Sequence, residues 1–174
     1  MGIDFFEAGI AAATLRYGGS RLRFATDESS LHLEAGPNDL LTCIEVLEHL
    51  PAGKALLQSI CRASCRYVIL MFPTGRMRKY EIAVGHLRNF QRGKMEGFVS
   101  HAGFAEQNIS YADFLFYFPL YREFYNVMDA GRGRFASRPF GFLQKAMGVF
   151  LFGIFRYLSM RRVGDQYCGL FERW

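Results

Sequence analysis

Glu45, Glu48 and His49 stand at i, i+3 and i+4 behind the apolar run that Asp39 opens, and Pro51 follows closely. The spacing predicts a helical turn carrying two carboxylates and an imidazole on one face. Such a face could hold a divalent cation, and oxygen-rich ligation would suit magnesium. Imidazole titrates near neutrality, so His49, or His86 further along, could instead act as general base on a substrate hydroxyl. The structural alternative stays open: the His packs against a sheet and a Glu lines a pocket. Arg88 could fix a carboxylate or phosphate, or close its loop onto a helix. The basic run Arg76, Arg78 and Lys79 could meet an anion or lie solvated.

These groups need a frame, and the sequence outlines an α/β one. Glu7 to Tyr17 reads as an alanine-rich helix ended by Gly18 and Gly19. Asp39 to Cys43 reads as a strand, Leu50 to Cys65 as a helix, and Tyr67 to Pro73 as a buried strand ended by proline. Gln107 to Phe118 alternates with aromatics, and Gln166 to Trp174 could close the sheet. Asp4 and Asp27 each end a short apolar stretch. A carboxylate in that place can cap a helix or make a turn, and at the end of a parallel strand it can also accept hydroxyls of a bound ligand.

The order of these segments resembles class I S-adenosylmethionine-dependent methyltransferases. Gly2 to Asp4 is similar to the end of that family's second strand, and Leu22 to Asp27 to its third. Asp39 to Leu50 matches the fourth-strand segment, Gly85 to Phe90 the "gHlR.f" signal, and Ser100 to Phe104 the "aGF" signal. The resemblance covers roughly residues 2–104. It implies a Rossmann-like class I methyltransferase sheet and S-adenosylmethionine as cofactor. Cofactor contacts would fall on Asp4, Phe5, Asp27, Glu28, Cys43, Ile44 and Glu45, and catalytic roles on His49 and His86, with no metal assigned. In two relatives, the small-RNA 2′-O-methyltransferases and the ubiquinone-pathway O-methyltransferases, the Glu-x-x-Glu-His pattern serves metal binding. Others carry it with no metal role implied. Because a sulfonium already activates the methyl, the protein has mainly to align acceptor and methyl, so the acceptor is not legible.

The family's first strand and its glycine-rich loop are missing from this sequence. Gly18 and Gly19 follow a helix, and Gly131 and Gly133 lie in basic coil, so neither pair is a strand-to-helix loop. The expected fold is therefore an N-terminally truncated sheet with a helical apolar insertion before the last strand. Residues 1–121 would form the core, 122–164 an apolar, basic insertion or cap, and 165–174 the closing strand. Such a chain should fold poorly or pair its second and fourth strands directly. Three explanations are open: a start codon placed too late, a non-catalytic relative, or a strand supplied by another polypeptide.

Composition bounds the partners. The 174 residues, 51% hydrophobic, can bury one sizeable core. Residues 122–174 carry 9 of the 21 basic and 4 of the 16 acidic side chains, so the whole +5 charge sits there. A neutral N-terminal part speaks against nucleic acid as partner. Between Lys145 and Arg156 lie ten uncharged residues, fewer than the ~20 a bilayer span needs. Residues 140–160 thus read either as a helix packed on the sheet or a second subunit, or as a peripheral membrane contact. Four scattered cysteines and no signal-peptide pattern favour the cytoplasm, with membrane association open. The function expected is methyl transfer to a small-molecule or lipid-like acceptor. The alternative is a non-catalytic relative that binds a partner or membrane surface; oligomeric state stays open.

Overall fold

The structure is a computed structural model that describes residues 1–4, 6–26, 35–112, 114–115, 118–119, 123, 141–158, 160 and 162–174. In chain order the elements are β1 (Gly2–Ile3), α1 (Glu7–Tyr17), β2 (Phe24–Ala25), β3 (Leu40–Ile44), α2 (Gly53–Arg62), β4 (Tyr67–Pro73), α3 (Lys79–Ala83), α4 (Lys94–His101), β5 (Phe104–Ala112), β6 (Phe114–Leu115), β7 (Phe118–Pro119), α5 (Phe142–Leu158) and β8 (Gln166–Arg173).

Four strands form the main sheet in the order β3-β4-β8-β5. β3 and β4 run parallel, and β8 lies antiparallel between β4 and β5. Alternation decides the faces: Leu41 and Cys43 of β3, and Val68, Leu70 and Phe72 of β4, point into the core. Leu40, Thr42 and Ile44 point away from it and are exposed. Helix α2 covers the core with Gly53, Leu56, Leu57, Ile60 and Cys61, the i, i+3, i+4, i+7, i+8 stripe of an amphipathic helix. Phe104, Tyr167 and Phe171 complete the core from β5 and β8. Two devices close this unit. Arg173 of β8 donates to the carbonyls of Cys61 (3.1 Å), Ala63 (2.6 Å) and Cys65 (3.1 Å), which end α2 and begin the following turn. Arg78, almost wholly buried, pairs with Glu123 (2.7 Å) and Asp165 (3.3 Å) beneath the loop after β4. The run around Arg76 is therefore internally paired as well as basic, since Arg76 also meets Glu123 at 2.8 Å.

β1 and β2 form a separate parallel pair of two residues each, with α1 packed beside β2. The expected direct pairing of the second and fourth strands does not occur among the described residues: β3 has β4 as its neighbour and leaves its other edge open. Two-residue strands offer too few ladder bonds to bring β1 across to β3. One further expectation fails. Residues 45–50 make a turn, and α2 begins only at Gly53. The reason lies at Glu45, whose φ of 53° is left-handed and breaks any continuation from strand to helix. Gly53 then lets the turn fold back, since a Cβ there would stand 2.7 Å from the Leu47 carbonyl oxygen.

Candidate functional site

The turn after β3 carries Glu48 and His49 beyond the carboxyl end of that strand. The loop after β4 and α3 brings His86 to the same edge. Parallel strands put both carboxyl ends on one side, the side where ligands of open α/β sheets bind. Three bonds stitch loop to turn. Leu87 N donates to the Glu48 carbonyl at 2.8 Å, His49 Nδ1 to the Gly85 carbonyl at 3.1 Å, and Arg88 Nη2 to the Pro51 carbonyl at 2.9 Å. Arg88 thus closes its loop onto the neighbouring turn. Gly85 serves the loop directly, because its φ of +95° belongs to glycine alone at low cost.

The result is a cluster of Glu48, His49 and His86 whose ligand atoms lie within 4.8 Å of one another. The two imidazole rings meet edge to face with centroids 4.6 Å apart. Because His49 Nδ1 faces a carbonyl, it must carry the hydrogen, leaving the lone pair on Nε2. Glu48 is fully buried, and among the described residues its carboxyl is met only by its own backbone N–H and the neighbouring Glu45 carboxyl; His86 Nδ1 is buried there without a partner too. Burial, with the neighbouring Glu45 charge adding to it against a local backbone hydrogen bond, lifts the Glu48 carboxyl to about 8. Burial, then the adjoining His49, holds the His86 imidazole below its ordinary range, so it is neutral at physiological pH.

Glu45 adjoins this group electrostatically but is not one of its three clustered donors. Its left-handed backbone turns the side chain towards Gln166, whose Nε2 donates to Glu45 Oε1. The expected Glu45–Glu48–His49 face is thereby corrected to Glu48, His49 and His86. One carboxylate with two imidazoles suits a transition metal better than magnesium. Gln166 had no signal in the sequence, standing 121 positions from its partner.

The expected cofactor residues are spread more widely. Asp4 is exposed at the end of β1 and accepts the Phe6 N–H at 2.9 Å, an Asx turn leading into α1. Ile44 is exposed at the end of β3. Cys43 belongs to the core, and burial, then the Glu48 charge, pushes its thiol up to about 12, so it is no nucleophile. Phe5, Asp27 and Glu28 lie outside the described residues.

No family model matches the sequence, and no curated protein matches it. Solved structures do. A SAM-dependent methyltransferase from Archaeoglobus fulgidus is similar over 99% of this chain and 75% of its own, with TM-score 0.54 and 12% identity. The cyclase SpnF is similar over 99% and 65%, with TM-score 0.57 and 14% identity. The small RNA methyltransferase HEN1 is similar over 99% of this chain and 20% of its own, with TM-score 0.51 and 12% identity. At such identities the likeness is one of fold: the chain has the α/β fold of SAM-dependent methyltransferases. A cyclase among the neighbours is a reminder that this fold alone does not fix the reaction.

Proposed function

We propose that the chain transfers a methyl group from S-adenosylmethionine to a small or lipid-like acceptor. The observation that carries this reading is a buried acid–base cluster at the ligand-binding edge of a sheet with the methyltransferase fold. Bound cofactor supplies a methyl group already activated by its sulfonium. Asp4, an exposed carboxylate at a parallel strand's end, fits the ribose hydroxyls, and the backbone of Cys43 to Glu45 would pass beside the cofactor. That fit covers the nucleoside half; this sequence holds no glycine-rich loop for the other. The protein's own part in the chemistry is to hold the acceptor against the cluster. Neutral His86, or His49 through Nε2, would take the proton that an acceptor hydroxyl gives up when the methyl passes from sulfur to its oxygen.

Calorimetric titration with S-adenosylhomocysteine, beside a thermal melt, tests the reading. Micromolar binding is expected, with stabilisation of about 2.7 kcal/mol at a hundredfold excess over Kd. Asp4→Ala should weaken that binding at least tenfold. A cooperatively melting chain with no response to the ligand overturns the reading and favours a non-catalytic, partner-binding role.

A second reading has its own observation. The buried Glu48 oxygens and the ring nitrogens of His86 and His49, within 4.8 Å of one another, form a donor set for a divalent transition metal. The metal would bring an acceptor's oxygen to the site and lower its proton affinity. Titration with manganese and zinc, on the parent and on His86→Gln, separates this from plain base catalysis. Saturable binding lost in the variant supports it, and no binding refutes it.

A further inference from the structure

Helix α5 is out of keeping with the rest of the molecule. Its seventeen residues carry Lys145 and Arg156 but no acid, and its side chains stay largely in solvent. Met147 is 51% exposed, Phe150 62%, Phe152 66% and Tyr157 80%. A helix this apolar is normally covered on most sides. Among the described residues no part of the core lies over it: neither the buried cluster nor the hydrophobics packed against that cluster include any residue of α5.

The charges have an order. Lys145 and Arg156 are eleven positions apart, which is about three helical turns, and so share one face. Phe150, Ile154, Met147, Leu158 and Leu151 fill the opposite arc, Ile154 and Leu151 half-buried and the others exposed, and Val149 and Phe152 add exposed apolar surface beside the cations. Arg162 extends the positive end, and no acidic residue occurs between Phe140 and Gly164. No helix among the described residues is long and apolar enough to cross a membrane.

We propose that α5 docks the protein onto an anionic lipid surface. The helix lies in the plane of the interface. Its Met147–Phe150–Ile154–Leu158 arc enters the acyl boundary, while Lys145, Arg156 and Arg162 meet headgroup phosphates and carboxylates. Charge complementarity selects this occupant over a second copy of the chain. Lys145, Arg156 and Arg162 have no acid between Phe140 and Gly164 to pair with. A second copy packed on the apolar arc would leave those cations, on the opposite face, unanswered, whereas an anionic surface answers them. The inference stands apart from the proposed reaction, because α5 shares no residue with the Glu48 cluster.

The test uses the full chain in flotation assays with two sets of vesicles: phosphatidylcholine alone, and phosphatidylcholine with about a third phosphatidylserine. Binding to the anionic vesicles is expected, with little to the neutral ones and a loss on adding salt. Lys145→Glu with Arg156→Glu should lower the partition coefficient about tenfold or more. Phe150→Ser with Met147→Ser should lower it without altering the salt dependence. These side chains lie outside the core, so the melts of both variants should match the parent's, and circular dichroism monitors that. Equal binding to both vesicle sets, or none to either, overturns the proposal. So does a dimer by light scattering that the serine variant dissociates, since α5 would then be covered by its own copy.

Discussion

Replacing Glu48 by Gln should make the protein more stable, and only above a defined pH. The Glu48 carboxyl is raised from an ordinary 4.5 to about 8, chiefly by burial. Between those values the unfolded chain has lost its proton and the native one keeps it. The native state therefore binds more protons, and stability falls as pH rises through this window. At about 1.36 kcal/mol per unit, the loss attributable to Glu48 approaches a ceiling of about 5 kcal/mol by pH 8. Water entering at the cluster would reduce it to about 2–3 kcal/mol. Gln keeps the shape and has no proton to lose. Urea melts of parent and Glu48→Gln, at half-unit steps from pH 4.5 to 8.5 with chelator present, give the difference, in which titrations remote from the cluster cancel. The variant should match the parent near pH 4.5 and exceed it by about 2–5 kcal/mol at pH 8. A constant offset across the range would refute the reasoning, for Glu48 would then titrate alike folded and unfolded. Manganese supplies a second arm: if the cluster is a metal site, the cation should restore the parent's stability at pH 8 and leave the variant's unchanged.

Three other perturbations follow from the structure. Arg173→Met removes donors from the carbonyls of Cys61, Ala63 and Cys65, and should cost about 2–3 kcal/mol in a urea melt while keeping the cooperative transition. Arg78→Met leaves Asp165 and Glu123 facing a buried apolar side chain; a loss of about 3 kcal/mol is expected, and less than 1 would mean the cluster is looser than its geometry. At Glu45, φ of 53° favours glycine, so Glu45→Gly should be more stable than Glu45→Ala by about 1 kcal/mol, both having lost the bond from Gln166.

Where hydrophobic period and length agreed, the sequence was sufficient. Glu7 to Tyr17 is a helix with those ends, and Tyr67 to Pro73 a strand with those ends, because alanine content, apolar alternation and a terminal glycine or proline are local signals. The closing strand at Gln166 was placed. The alternating run read from Gln107 to Phe118, however, proves to be a strand over Phe104–Ala112 followed by two short strands, because aromatic alternation does not mark where a strand begins or ends. The Glu45–His49 face was misjudged because i, i+3, i+4 spacing carries meaning only if a helix exists. A single left-handed residue at Glu45 cancels it, and no propensity marks glutamate for that backbone. His86 reaches the cluster only because Gly85 and Leu87 bond to the turn around Glu48, a contact set by tertiary packing. Gln166 illustrates the same limit at greater range.

What remains is why Glu48 should be present at all. A fully buried carboxyl met only by its own backbone N–H and the Glu45 carboxyl contributes little to the sheet, and burial has already removed the water that would have solvated it. A leucine or methionine of similar volume would fill the same space and would stabilise the fold at neutral pH. The neighbouring pieces point the same way. Gly85 takes a left-handed φ to present its carbonyl to His49, and that bond fixes which imidazole nitrogen is left free. His86 sits neutral with a nitrogen unpartnered. Each feature alone is a small structural cost; together they converge on one point at the carboxyl edge of two parallel strands. Groups held so poorly partnered in such a place are poised for something that arrives from outside, an acceptor's proton or a cation. The pH-dependent gain of Glu48→Gln and any loss of manganese or acceptor binding in the same variant are therefore two sides of one trade-off. A variant that gained stability while keeping every binding property would break that link and leave the cluster a packing defect.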